Sequence, residues 1–124
     1  MWVKDLAGCP EFIAGDGTFI RELIHPDKED LRLRYSLAHA VVPPGEASLA
    51  HRLAVSEVYY ILEGEGTLRI DAEAQAVIKG QAVYIPPGAV QSIENTGRGE
   101  LKFLCIVDPA WRREYEEIGE GPSR

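Results

Sequence analysis

Apolar residues recur along the chain in short runs, and turn residues separate each run from the next. The turn Gly15-Asp16-Gly17 precedes an apolar run at 18–24, the charged loop 25–30 precedes a run at 31–42, and Pro43-Pro44-Gly45 interrupts the chain again. Short runs spaced roughly 8 to 12 residues apart are typical of the strands of a β-sandwich or β-barrel. The pattern therefore predicts an all-β protein.

The second half of the chain continues this pattern. Runs at 57–62 and 67–70 flank Glu63-Gly64-Glu65-Gly66, which predicts a β-hairpin at this point. Only residues 109–118, which open with a proline and continue with good helix formers, predict a short C-terminal helix. The remaining predicted strands lie at 74–79, 81–85, 90–94 and 101–107.

Two of the predicted strands are apolar at nearly every position. Residues 58–62 read Val-Tyr-Tyr-Ile-Leu, and residues 103–107 read Phe-Leu-Cys-Ile-Val. An unbroken apolar run indicates that both faces of a strand are covered, whereas a strand with one solvated face alternates between apolar and polar residues. A single small barrel covers only the inner face, so we expect a homodimer.

The size and charge of the chain narrow its class. Its 124 residues, 45% hydrophobic and 27% charged, fit a single globular domain at 1–124 with its core at about 32–108. The net charge of −7 repels phosphate backbones and anionic lipids, so neither nucleic acid nor a membrane is an expected partner. The sequence has no secretory signal and no apolar run of roughly 18 residues, so we expect a cytoplasmic protein.

The segment 45–64 carries glycine, histidine and glutamate at regular intervals. Five residues separate Gly45 from His51, and five separate His51 from Glu57. Six more residues lead from Glu57 to Gly64. Leu53 stands two positions after His51, on the same face of any strand that contains both.

The segment 80–95 has a second pattern of this kind, formed by Gly80, Pro86, Gly88, Gln91 and Asn95. Together the two segments resemble the two conserved motifs of the cupin superfamily. Eight of the ten defining positions match, and the two exceptions are residues 53 and 91, where the family has histidines. The chain is therefore identified as similar to the small single-domain cupins.

The resemblance implies a fold and a metal site. The fold is the cupin double-stranded β-helix, a jelly-roll-like antiparallel barrel. Cupins with the full motif hold a divalent metal ion with two histidines, a glutamate and a third histidine. Here His51, Glu57 and Gln91 remain as donors and Leu53 offers none, so we expect a degenerate site for a divalent ion such as zinc, manganese, nickel or iron.

These residues also have other interpretations. His51 can be a barrel histidine hydrogen-bonded to Glu57 without any metal, and Gln91 can be a neutral hydrogen-bonding group of the pocket. His39, on a neighbouring strand, is a candidate to replace a missing imidazole. His25 lies in a charged loop and is expected to be exposed to solvent.

Residues two apart in a strand share a face, so Glu57 and Tyr59 are expected to point together into the barrel. Both are candidate catalytic residues, with Tyr59 as an acid or hydrogen-bond donor. The resemblance allows metal-assisted isomerisation or epimerisation of a small polar metabolite, with the ion as Lewis acid. Two alternatives stay open: a non-catalytic module that binds a small ligand without metal, and a cupin dioxygenase, although a single histidine disfavours redox iron. The expected pocket walls are Leu53, Tyr59, Ile93, Phe103 and Cys105.

Overall fold

The computed structural model describes residues 1–122, with side chains described up to residue 119. Short 3-10 turns lie at Leu6–Gly8 and Arg113–Tyr115. In chain order the strands are β1 (Glu11–Ile13), β2 (Phe19–Ile24), β3 (Ser36–Val42), β4 (Leu49–Leu53), β5 (Ser56–Glu63), β6 (Glu65–Ile70), β7 (Glu73–Ile78), β8 (Ala82–Ile85), β9 (Gln91–Asn95), β10 (Leu101–Asp108) and β11 (Glu116–Pro122).

The strands form two antiparallel sheets that pack face to face. One sheet has the order β1-β2-β3-β10-β5-β8, and the other has the order β11-β4-β9-β6-β7. Most neighbours in the sheets are distant in sequence, as β3 and β10 are, which is typical of jelly rolls. The arrangement confirms the all-β, jelly-roll-like barrel predicted from the sequence.

Alternate residues of the central strands point into the space between the sheets. Towards one end this space is filled by apolar side chains such as Ile61, Ile93 and Phe103, each 1% exposed or less. Towards the other end, where β5 begins and β10 ends, the inward residues include Ser36 and Glu57 and leave a cavity. The packed end therefore holds the sheets together, while the other end provides a site.

The tetrapeptide Glu63-Gly64-Glu65-Gly66 is a corner between the two sheets, so the predicted hairpin is wrong. Strand β5 belongs to the six-stranded sheet and β6 to the five-stranded one. Gly64 has a φ of +87°, which residues with a Cβ rarely adopt. Gly66 lies so close to β9 that an added Cβ would clash with the carbonyl oxygen of Glu94. The glycines indicate a change of chain direction, but not which strands pair.

The predicted C-terminal helix is also wrong. Its residues form the 3-10 turn Arg113–Tyr115 and then β11, which pairs with β4. The amide of Ala54 donates to the carbonyl of Tyr115 at 2.8 Å, and Ile118 lies opposite His51 in the ladder. Helix propensity is a weak preference, and the free edge of β4 offers this segment a row of backbone partners that a helix would leave unused.

The outer face of the six-stranded sheet is apolar. Tyr60 on β5 and Tyr84 on β8 are 41% and 62% exposed. Val58 and Ile106 lie beside them in the ladder and are half buried. This outer face, defined by Val58, Tyr60, Tyr84 and Ile106, is where the predicted homodimer would form, and the dimer stays a prediction. None of the helical turns in residues 1–122 has the length or apolar character needed to traverse a membrane.

Candidate functional site

A cavity of about 330 Å³ opens at the polar end of the barrel. This volume lies within the roughly 300 to 1,000 Å³ of small-molecule sites. Strands β3, β4, β5 and β10 form its walls, and the β1–β2 hairpin and the start of β11 border it. Its polar lining includes Asp16, His51, Glu57 and Glu116, and its apolar lining includes Phe12, Ile20, Tyr59, Phe103, Cys105 and Trp111.

Glu57 is the most deeply buried carboxylate of the cavity. It is 6% exposed, and its Oε1 accepts a 2.9 Å hydrogen bond from Nε2 of Gln91. Its Oε2 has no hydrogen-bond partner among the described residues. Burial raises the pKa of Glu57 to about 7, although the Gln91 hydrogen bond and nearby His51 oppose this rise. Glu57 can therefore both donate and accept a proton near neutral pH.

Gln91 links Glu57 to Tyr59. The Tyr59 hydroxyl donates a 2.9 Å hydrogen bond to Oε1 of Gln91, whose amide nitrogen donates to Glu57. The tyrosine ring packs against Phe103 with centroids 4.6 Å apart, and burial raises the pKa of the phenol well above its usual value. At neutral pH the hydroxyl thus stays protonated and bound to Gln91, while the ring forms part of the cavity wall.

His51 lies on the opposite sheet and is 4% exposed. Its Nδ1 is 3.0 Å from the carbonyl oxygen of Leu49 and 3.6 Å from Oδ2 of Asp16. A carbonyl oxygen only accepts, so Nδ1 carries the proton, and in the neutral ring Nε2 is the acceptor. Nε2 has no hydrogen-bond partner among the described residues, and His51 lines the cavity. The imidazole is thus anchored at one nitrogen and free at the other.

Asp16 and Glu116 are site residues that the sequence did not reveal. Oδ1 of Asp16 accepts from the backbone and the hydroxyl of Thr18, at 3.1 and 2.7 Å. The amide of Leu49 donates to the carbonyl of Asp16 at 2.7 Å, which holds the turn against β4. Glu116 lies opposite Leu53 on β11, and burial raises its pKa against the opposing effect of His51.

The sequence contains only weak indications that Asp16 and Glu116 line the site. Asp16 lies in a turn between glycines, where an aspartate is ordinary. Glu116 falls in the segment for which a helix was predicted. Neither position belongs to the motif segments 45–64 and 80–95.

The residues that were expected to form the pocket walls divide into two groups. Tyr59, Phe103 and Cys105 line the cavity as expected. Leu53 and Ile93 are 3% and 1% exposed, but neither lines the cavity. Burial raises the pKa of the Cys105 thiol well above its usual value, so Cys105 is an uncharged wall residue.

The remaining histidines lie away from the cavity lining. His39 lies between Ala38 and Ala40 on β3, and these two alanines line the cavity whereas His39 does not. Its Nδ1 is buried and has no hydrogen-bond partner among the described residues. Burial lowers the pKa of His39, and the positive charges of Lys102 and Arg21 lower it further.

His25 is 4% exposed, so the prediction that it is exposed to solvent is wrong. Its Nδ1 accepts from the amide of Asp27 at 3.0 Å and its Nε2 donates to the Trp111 carbonyl at 2.6 Å, which fixes the loop.

The predicted metal ligands fit a metal site only in part. Residues 1–122 contain no group of three His, Cys, Asp or Glu side chains placed to hold a metal ion. His51 and Glu57 each keep a free atom at the cavity. Gln91 does not fit as it is placed, because its oxygen accepts from Tyr59 and its nitrogen donates to Glu57. The set of His51, Glu57 and Gln91, and the divalent ion with it, stays a prediction.

The chain is similar to a known protein family and to several known proteins. A family model described as Cupin domain matches residues 38–107. An uncharacterized protein of Methanocaldococcus jannaschii is 44% identical over 110 residues, which cover 88% of this chain and 87% of that protein. The oxalate-binding protein of Thermotoga maritima is 34% identical over 71 residues, 56% of this chain and 59% of that protein.

A solved structure supports the fold. The polyketide cyclase RemF of Streptomyces resistomycificus superposes with a TM-score of 0.80 over 98% of this chain and 89% of that one. Its sequence is 21% identical, so the likeness concerns the fold alone. The matched segment 38–107 includes His51, Glu57 and Gln91 but neither Asp16 nor Glu116.

Proposed function

This chain belongs to the cupin domain family, and we propose that it is a small-molecule cupin in which His51 and Glu57 exchange protons with a ligand in the cavity. One observation carries the proposal. Each of these two side chains is anchored through one atom, to Leu49 or to Gln91, and each has its other polar atom free in the same cavity. An anchored acid–base pair on facing walls is what proton transfer within one bound molecule requires.

The reaction class that suits this pair is isomerisation of a small α-hydroxy carbonyl compound. Nε2 of neutral His51 takes a proton from the carbon next to the carbonyl group, while protonated Glu57 gives its proton to the carbonyl oxygen. A C–H bond breaks and an O–H bond forms, which gives an enediol. His51 then gives its proton to the former carbonyl carbon, while Glu57 takes the proton of the other hydroxyl oxygen of the enediol. The carbonyl group has then moved by one carbon, and both residues are back in their starting protonation states.

Gln91 supports both protonation states of Glu57. With Glu57 ionised, the amide nitrogen donates to the carboxylate and the amide oxygen accepts from Tyr59. With Glu57 protonated at Oε2, its Oε1 is still an acceptor, so the amide nitrogen of Gln91 keeps its hydrogen bond without any rearrangement. The Tyr59 hydroxyl likewise continues to donate to Oε1 of Gln91, so both hydrogen bonds of Gln91 persist in either protonation state of Glu57.

Deuterium exchange tests the proposal without knowledge of the product. The protein is incubated in D₂O with a panel of small aldoses, ketoses and α-hydroxy ketones, and mass spectrometry records deuterium incorporated at carbon. We expect incorporation with the parent protein and its loss in Glu57→Gln and His51→Asn. The matched control is Glu63→Gln, on the same strand but exposed beside Lys102. Equal incorporation by Glu57→Gln and the parent would contradict the role of Glu57.

A second candidate function is a binding module without catalysis. Leu53 and Gln91, at the two positions where the family has histidines, favour it. They are 3% and 1% exposed and do not line the cavity, so neither offers a metal ligand there. Binding of a panel compound without deuterium incorporation would support this function. Oxalate, which the Thermotoga relative is named for binding, is a poor candidate ligand for this cavity, because the dianion would face four carboxylates there.

A further inference from the structure

The charges that line the cavity indicate the class of ligand. Four carboxylates line it, those of Asp16, Glu22, Glu57 and Glu116, whereas Lys28 is the only lysine or arginine among the described lining residues. Its ammonium is 2.6 Å from a carboxylate oxygen of Glu22, and its side chain is 67% exposed. Lys28 therefore pairs with Glu22 at the solvent side and does not neutralise the carboxylates of Asp16, Glu57 and Glu116.

A second feature, independent of the acidic residues, indicates a ligand. His51 is 4% exposed, lines the cavity and has no hydrogen-bond partner for Nε2 among the described residues. The Oε2 atom of Glu57 is in the same situation. Among the buried side-chain nitrogen and oxygen atoms of the described residues, only Nδ1 of His39 has no partner, so Nε2 of His51 and Oε2 of Glu57 keep access to the open cavity and can bind a ligand there. The reacting part of the ligand contacts these two atoms in the proposed function, which leaves Asp16 and Glu116 for a second group of the same ligand.

The apolar walls suit the rest of such a ligand. Tyr59, Phe103 and Trp111 present aromatic rings to the cavity. The faces of aromatic rings attract cations, and their surfaces also bury the apolar part of a ligand. An ammonium group needs acceptors and negative charge, and the carboxylates of Asp16 and Glu116 supply both.

We propose that the ligand of this cavity carries a protonated amine on a small, partly apolar body, and that the cavity discriminates against carboxylates. This inference rests on the proposed function, because it names the ligand class of the same cavity. The ammonium group matches the carboxylates of Asp16 and Glu116, which leaves Nε2 of His51 and Oε2 of Glu57 free for the proposed proton exchange. A carboxylate ligand would offer acceptors to acceptors.

Three probes of similar shape separate charge from size. Phenethylamine, 2-phenylethanol and phenylacetate are titrated into the ¹⁵N-labelled protein at neutral pH, and chemical shifts of cavity residues give the three dissociation constants. We expect phenethylamine to bind at least about tenfold more tightly than 2-phenylethanol, and phenylacetate to bind most weakly. Equal or tighter binding of the alcohol or of phenylacetate overturns the inference, as does a lack of phenethylamine binding.

Two variants of neighbouring residues on β11 test whether the preference for an amine comes from the cavity lining. Glu116 lines the cavity, while the next residue, Glu117, is exposed and does not line it. Glu116→Gln should weaken phenethylamine binding several-fold and leave the binding of 2-phenylethanol unchanged, whereas Glu117→Gln should change neither. Equal effects of the two variants would show a general charge effect and overturn the inference. Deuterium incorporation that depends on Glu57 would still support the proposed function, so the two can fail separately.

Discussion

Nε2 of Gln91 donates a 2.9 Å hydrogen bond to Oε1 of Glu57 across the space between the two sheets. Gln91 stands where the cupin motif has a histidine, so this position retains a polar side chain that contacts the glutamate. The hydrogen bond favours the ionised carboxylate and so lowers a pKa that burial raises. Gln91 thus limits how far the pKa of Glu57 rises.

Replacing Gln91 by leucine tests this relationship. Gln91→Leu keeps a similar volume but removes the donor to Glu57, so the pKa of Glu57 should rise above about 7. The variant also leaves the Tyr59 hydroxyl unpaired, and we expect it to lose about 1 to 3 kcal/mol of stability. A ¹³C NMR titration of the glutamate carboxyl groups measures the pKa, and Gln75→Leu, at an exposed site on β7, is the control. An unchanged or lowered pKa would contradict the role given to Gln91.

The stability of the protein should depend on the ionisation of Glu57. Its pKa is about 7 in the folded protein, against an ordinary value of 4.5. Because the folded state binds this proton more tightly, the contribution is fully present below about pH 4.5 and is lost as the pH rises through 7. We expect the parent to lose roughly 3 kcal/mol over this range relative to Glu57→Gln. Urea unfolding of both proteins across the range measures the difference, and parallel curves would rule out the raised pKa.

Two histidine substitutions should restore a metal site. Residues 51 and 91 are direct partners of β4 and β9, and residue 53 shares the face of residue 51. The double variant Leu53→His, Gln91→His should therefore bind nickel or zinc more tightly than the parent, and the metal should raise its melting temperature more. Calorimetric titration measures the affinity. A folded variant with unchanged affinity would show that these positions do not face one centre.

If the parent binds a divalent ion, Glu57→Gln should abolish that binding. Glu57 is the only anionic member of the predicted set of His51, Glu57 and Gln91, and a neutral amide is a weaker ligand. Elemental analysis of the two purified proteins measures the metal content. Equal metal content in both would exclude Glu57 as a ligand.

The predicted homodimer depends on the outer face of the six-stranded sheet. Tyr84 is 62% exposed there, so Tyr84→Lys should place a charge in the interface and shift the protein towards monomer. Tyr35→Lys, at a 43% exposed tyrosine outside the strands, is the control and should have no effect. Sedimentation equilibrium at micromolar protein distinguishes the outcomes, and a monomeric parent would remove the prediction.

The sequence predicted the part of the site that strand parity and motif spacing control. Glu57 and Tyr59 share a face because they are two residues apart on one strand, and both line the cavity. His51 and Gln91 were assigned to a common interior by motif spacing, and they are direct partners in the ladder between β4 and β9.

The features that were predicted wrongly or not at all depend on contacts between segments that are distant in the sequence. Residue spacing does not tell whether the chain after Gly64 continues in the same sheet, so the predicted hairpin was wrong. The segment that contains Glu116 has helix-forming residues, and its strand exists only because β4 has an edge to pair with. His25 looked exposed because its burial depends on Trp111, which is 86 positions away.

Asp16 and Glu116 flank one cavity but come from opposite ends of the chain, outside the segment 38–107 that matches the family. The framework that positions His51 and Glu57 and the residues that set the cavity's charge are therefore encoded separately. Two proteins with identical motif segments can select ligands of opposite charge if their terminal strands differ. Transplanting residues 9–18 and 110–119 between such proteins should then transfer ligand preference while leaving the barrel intact.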